Sequence, residues 1–144
     1  MVSEPTQARR VTANRAIVLL AVAAFASAAT TRICDGLLPQ LASEFRVTPG
    51  EAAIVATAYS LTYGLLQPAF GIAGDRYGKY RLILVCCLMS LVTTAACAAA
   101  PTLDMLAFAR LAAGFAAAGI VPLALAWIGD AVAYDVRQTT IARF

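Results

Sequence analysis

Histidine is absent from the chain, and charge is scarce: only 13% of its 144 residues are Asp, Glu, Lys or Arg. Without histidine, the usual Cys/His metal sites and Cys–His nucleophiles lack a partner. The four cysteines, Cys34, Cys86, Cys87 and Cys97, form no C-x-x-C pair and each falls inside an apolar run. That placement suits small apolar fillers. Soluble domains carry about 25% charged and about 45–50% apolar residues, whereas 61% of this chain is hydrophobic. A water-soluble enzyme of this size has nowhere to bury such a surface, and a disordered chain would be poor in it. The net charge of +3 is small and scattered, unlike the basic stripe that a nucleic-acid partner requires. What remains is an all-α integral membrane protein whose first partner is the lipid bilayer.

A spanning helix needs roughly 20 mostly apolar residues. Four stretches meet this, at about 16–39, 51–73, 82–100 and 103–128. Residues 1–15 form a polar, basic tail. A cleaved signal peptide would also begin with basic residues, but this apolar stretch is longer than such a peptide and leads into further spans. Thr48-Pro49-Gly50-Glu51 reads as a capping box with proline at the first helical position, which marks the start of the second span. Pro101-Thr102 separates the third span from the fourth. Pro122 is expected to kink the fourth span, and Gln67-Pro68 the second.

Basic residues concentrate in cytoplasmic loops. Arg9, Arg10 and Arg15 precede span one, and Arg76, Lys79 and Arg81 lie between spans two and three. The N-terminus, the 74–81 loop and the connection 129–144 are therefore expected inside, in a multi-pass protein of the plasma (inner) membrane.

The densest motif is Gly71-Ile72-Ala73-Gly74-Asp75-Arg76-Tyr77-Gly78-Lys79-Tyr80-Arg81. Gly74 and Gly78 offer the backbone freedom that a tight turn between antiparallel helices needs. A positive-inside loop with ordinary turn glycines would account for the charges, but not for the order G-x-x-x-D-R-x-G-K-x-R. That order resembles motif A of the major facilitator superfamily. Arg110-Leu111-Ala112-Ala113-Gly114-Phe115-Ala116-Ala117-Ala118 resembles its motif B, and Asp35-Gly36-Leu37-Leu38-Pro39-Gln40-Leu41 the end of the first helix in the drug:proton antiporter branch. Ala113 stands where drug antiporters often carry glutamine, and the fifth-helix signature of that branch would fall beyond Phe144.

The resemblance implies helices one to four of a twelve-helix fold built from inverted three-helix repeats. It also implies that 129–144 leads towards a fifth helix. On that reading the chain looks like the N-terminal third of a proton-coupled exporter of small molecules, with protons and substrate as its partners. It would be neither an enzyme nor a cofactor protein, and the sequence offers no nucleotide-binding loop. The resemblance further implies that Asp75 meets the opposite half of the transporter. It implies that Arg76, Lys79 or Arg81 pairs with an acid at the inner end of helix four, Asp130 first and Asp135 second. Two rivals stand beside this reading: a non-transporting remnant or interaction protein, and a small four-helix exporter working as a dimer. The second rival would carry a mid-span glutamate in its first helix, which this chain lacks.

Charges within spans are costly and mark function. Arg32 and Asp35 lie three residues apart, on one face of span one. Arg110 lies about 10 Å into span four at 1.5 Å per residue. The three are expected at one level, with Asp35 and Arg110 forming the proton-coupling site; a structural cluster that only locks helices one and four is the alternative. Tyr59, Tyr63 and Trp127 are expected to pack or to mark the membrane interface, with cavity lining as the alternative.

Overall fold

A computed structural model describes residues 7–132 and 134–143, with the side chains of 7–14, 135, 136 and 143 lying outside the described set. Among the described residues seven helices follow one another: α1 (Gln7–Phe45), α2 (Pro49–Ala52), α3 (Ile54–Tyr77), α4 (Lys79–Ala98), α5 (Leu103–Ala117), α6 (Ile120–Ala131) and α7 (Tyr134–Arg143). No strand occurs among the described residues. Among the described residues three helical stretches are long and apolar enough to cross a membrane: Arg15–Phe45, Lys79–Ala98 and Leu103–Ala131. The sequence led us to expect four. The exception is α3, whose Thr57, Ser60, Thr62, Tyr63 and Gln67 dilute its apolar character.

The starts and stops have local causes. Arg46 ends α1 in a left-handed conformation (φ 55°) while the Val47 N–H reaches back to the Ala42 carbonyl. Pro39 lies inside α1 without ending it, so that helix runs past the boundary expected at residue 39. At α2 the expected capping box forms: the Thr48 hydroxyl accepts from the Glu51 N–H, and the Glu51 carboxylate accepts from the Thr48 N–H. These hydrogen bonds favour the ionised carboxylate and hold Glu51 below the usual carboxylate range, the backbone N–H contributing most. The Thr102 hydroxyl caps α5 at the Met105 N–H. Pro122 cannot donate to the carbonyl four residues before it, and the helix opens at Ala118–Gly119, between α5 and α6.

The turn between α3 and α4 is tighter than expected. Helix continues to Tyr77 and resumes at Lys79, leaving only Gly78, with φ 91°, between them. A single glycine in that region of backbone space reverses the chain at no steric cost. Gly74 is not a turn residue. It lies in α3, where an added Cβ would strike the Leu123 side chain.

The α5–α6 stretch is the centre of the bundle. Of its most apolar stretch 56% is buried, against 17% for α1 and 11% for α4. Its most extensive contacts are with α3, then α4, while α1 leans on α6. Near the Gly78 turn the core is Leu20, Ile83, Leu123 and Ala124. Near Pro101 it is Cys34, Val55 and Leu106, and between the two it is Tyr59, Ala113 and Ala117. All four cysteines are free thiols, buried or half-buried in these helices.

Candidate functional site

The Gly78 end gathers most of the motif-A charges. Lys79, the first residue of α4, points its ammonium between Asp75 of α3 (3.3 Å) and Asp130 of α6 (2.5 Å). The Lys79 side chain is 19% exposed, whereas those of Asp75 and Asp130 are 75% and 67% exposed. One cation thus ties three helices, with its carboxylates still wet. The structure thereby brings together Lys79 and the acid expected to receive it. Asp135 lies outside the described side chains. Arg76 lies over the Tyr77 ring at 5.7 Å, and Arg81 stands exposed. Gly71 has open space where a Cβ would stand, so packing does not demand glycine there. Asp75, Lys79, Arg81, Trp127 and Asp130 border an open cavity of about 720 Å³.

The Pro101 half treats charge differently. Asp35 pairs with Arg32 at 3.6 Å, both side chains being well exposed. Arg110 is 2% exposed. Its Nη1 donates to the Thr30 carbonyl at 3.0 Å, and its guanidinium lies 4.1 Å from the centre of the Tyr59 ring. Nε and Nη2 have no hydrogen-bond partner. Asp35 and Arg110 are therefore not paired, contrary to the joint cluster expected. The reason is axial offset: Arg110 meets α1 at Thr30, and five further residues carry Asp35 about 7.5 Å along that helix. They share one half of the bundle, but not one level.

Tyr59 holds this arrangement together. It is fully buried, accepts a hydrogen bond from the Thr31 hydroxyl at 3.2 Å, and stacks on Tyr63 at 5.8 Å between ring centres. It packs as expected of a core aromatic, but its service as a platform for Arg110 was not foreseen. Beside it, Thr62 donates within reach of the Leu111 carbonyl at 3.0 Å, a link from α3 to α5. Gly114 makes the approach possible, because a Cβ there would collide with the Tyr59 carbonyl and the Thr62 hydroxyl. One signal was present: Tyr59 and Thr62 lie three apart on α3, and Arg110 and Gly114 four apart on α5, so each pair shares a helix face.

The cavity, the ion pairs and the buried arginine thus lie on long, largely apolar helices, and comparison with known proteins points to a transporter superfamily. The family model of the Major Facilitator Superfamily matches residues 20–144. The uncharacterized MFS-type transporter YwfA of Bacillus subtilis is 28% identical over 118 residues, 82% of this chain and 29% of that protein. The multidrug efflux pump LfrA of Mycolicibacterium smegmatis is 33% identical over 113 residues, 78% of this chain and 22% of that protein. The bacillibactin exporter of Bacillus subtilis is 28% identical over 99 residues, 65% of this chain and 25% of that protein. The chain spans less than a third of the length of these relatives. No solved structure matches. With residues 20–144 matched by its model, the chain belongs to the Major Facilitator Superfamily.

Proposed function

We propose that this chain forms the first four spanning helices of a longer transporter that exports small molecules in exchange for protons. The substrate-binding site of such folds lies between repeats near the bilayer midplane, so four helices provide one wall of it. Relatives named as a multidrug efflux pump and a bacillibactin exporter support the direction of transport. In this reading α3 is the fourth membrane-crossing element, its polar residues tolerated because they face other helices or the pathway. The N-terminus, the Gly78 turn and α7 face the cytoplasm.

The observation that carries the reading is Arg110. A guanidinium buried among apolar helices with its Nε and Nη2 donors unused is costly, and a lock between helices would use an apolar pair instead. Asp35 lies on the neighbouring helix as an exposed carboxylate that can gain and lose a proton as access alternates. Arg32 stands beside Asp35, and Arg110 meets the same helix about five residues away. Asp75, Lys79 and Asp130 hold the cytoplasmic ends of three helices together, and Asp75 is exposed enough to meet the other half of the transporter.

Transport assays on the full-length transporter in proteoliposomes test this. An imposed pH gradient should drive uptake by the wild type and not by Asp35→Asn, while Asp35→Asn still binds substrate. Normal gradient-driven transport by Asp35→Asn would reject Asp35 as the coupling group. If Asp35→Asn and Arg110→Ala only lower the amount of folded protein, the cluster is a helix lock. The 144-residue chain by itself should not transport. Raised drug tolerance in an efflux-deficient host expressing it alone would favour the small dimeric exporter.

A further inference from the structure

Arg110 carries a charge that the four spans do not balance. The residue is 2% exposed, its Nε and Nη2 donors have no acceptor, and Nη1 reaches only the Thr30 carbonyl at 3.0 Å. Among the described residues no carboxylate pairs with it. Asp35, the nearer acid of α1, is taken by Arg32 at 3.6 Å. The groups beside Arg110 add donors rather than acceptors. The Tyr59 hydroxyl, on the ring that the guanidinium covers, accepts from Thr31, which leaves its own proton to donate. Ser27 Oγ, in a residue 5% exposed, lies beside that hydroxyl without completing a hydrogen bond. Buried donors without acceptors are costly, and a buried charge without a counter-charge is more so. A cation entering here would worsen the imbalance; an anion would remove it.

The depth also suits a ligand. Arg110 lies about 10 Å along α5 from Leu103 at 1.5 Å per residue, against about 15 Å for half of the hydrocarbon core. It belongs to the fourth span and bonds to the first, so it stands where one three-helix repeat meets the next. Folds built from such repeats bind their cargo near the midplane at that junction. We propose that Arg110, with the Tyr59 and Ser27 hydroxyls, binds the carboxylate of the transported compound, so that the substrates are small amphipathic organic acids. This rests on the transporter reading above and adds the charge of the cargo to it. A carboxylate that displaces the Thr30 carbonyl offers two oxygens to the guanidinium fork. A charge-assisted, bidentate pair then replaces a single neutral acceptor. The apolar clusters on either side, with Val55 and Leu106 towards Pro101 and Ala113 and Ala117 towards Gly78, suit the rest of such a molecule. A fixed carboxylate from the rest of the transporter would also fit the guanidinium, but it would leave the site neutral and without preference for an acidic ligand.

The test measures binding to the purified full-length transporter by equilibrium dialysis in alkaline gluconate buffer. The probes are fluorescein, a dianion there, and rhodamine 123, a cation built on the same ring system. Fluorescein should bind, and rhodamine 123 should bind at least about tenfold more weakly, the worth of one charge-assisted hydrogen bond. Arg110→Gln should weaken fluorescein by a similar factor with rhodamine 123 no weaker, and Arg110→Lys should recover part of the loss. Ser27→Ala should lower fluorescein binding severalfold at an unchanged Tm, because that hydroxyl has no partner to lose. This variant and the wild-type preference decide the matter if Arg110→Gln does not fold. Equal binding of the two dyes, preference for rhodamine 123, binding of neither, or fluorescein binding unchanged in Arg110→Gln would overturn the proposal. Displacement of fluorescein when chloride replaces gluconate would overturn it too, since the bound anion would then be an inorganic ion. Fluorescein bound but not moved by a pH gradient would uphold this site and count against the coupling reading instead.

Discussion

At the Gly78 end, Lys79 meets Asp75 and Asp130 with both carboxylates largely exposed to solvent. In the Pro101 half, Arg110 is buried on the Tyr59 ring with one carbonyl for company. The first arrangement is cheap to make and to break, since water can replace either partner. The second is held by packing, and its unused donors give it a reason to change partners. For the transporter proposed above, that division would let one end open while the other keeps its charged site.

The largest effect should come from the contact that lets α5 approach α3. Gly114→Leu places atoms against the Tyr59 backbone, which cannot yield as a side chain can. Overpacking of this kind costs about 1–3 kcal/mol, occasionally more, and thermal unfolding in detergent should register it. The same substitution at Gly71, where space is open, should cost little. Equal losses at the two positions would break the comparison.

Tyr59→Leu should come next, at about 2 kcal/mol, the worth of a desolvated cation–π contact. Its effect should be the same in low and high salt, because the pair is buried. Lys79→Ala should cost less, and its effect should vanish near 1 M salt, where the screening length is about 3 Å. A salt-independent Lys79→Ala would show that the Gly78 end is also held by packing, and the two ends would no longer differ in kind.

How much was legible in the sequence follows the same divide. The capping box, the Arg32–Asp35 pair and the glycine turn each lie within a few residues, so spacing reveals them. The partnership of Lys79 with Asp130 spans two helices and came from the family resemblance rather than from spacing. The bed of Arg110 was not legible. It joins Thr30, Tyr59 and Arg110 from three helices, and their relative height depends on how far each helix slides along its neighbour. Counting residues from the helix ends put Asp35 and Arg110 level; packing set them about five residues apart along α1. Gly74 misled for a related reason, since a glycine for close packing and a glycine for a turn look alike in sequence.

The smallest effect concerns pH. Glu51 is held below the usual carboxylate range by its bonds to Thr48, so it adds stability to α2 above its unfolded pKa. That contribution is lost as pH falls through the lowered folded value. The protection factor of the Thr48 N–H, which donates to the Glu51 carboxylate, should therefore fall on acidification, and Glu51→Gln should flatten the dependence. An unchanged dependence in Glu51→Gln would mean that another group controls the cap.

Proton release on substrate binding tests the central claim most directly. Substrate is added to the purified full-length transporter in weakly buffered detergent solution containing a pH-indicator dye, with binding followed in parallel. The wild type should release protons as substrate binds, and Asp35→Asn should bind substrate with no release. Equal release from the two proteins would contradict the assignment of Asp35 as the proton-coupling group.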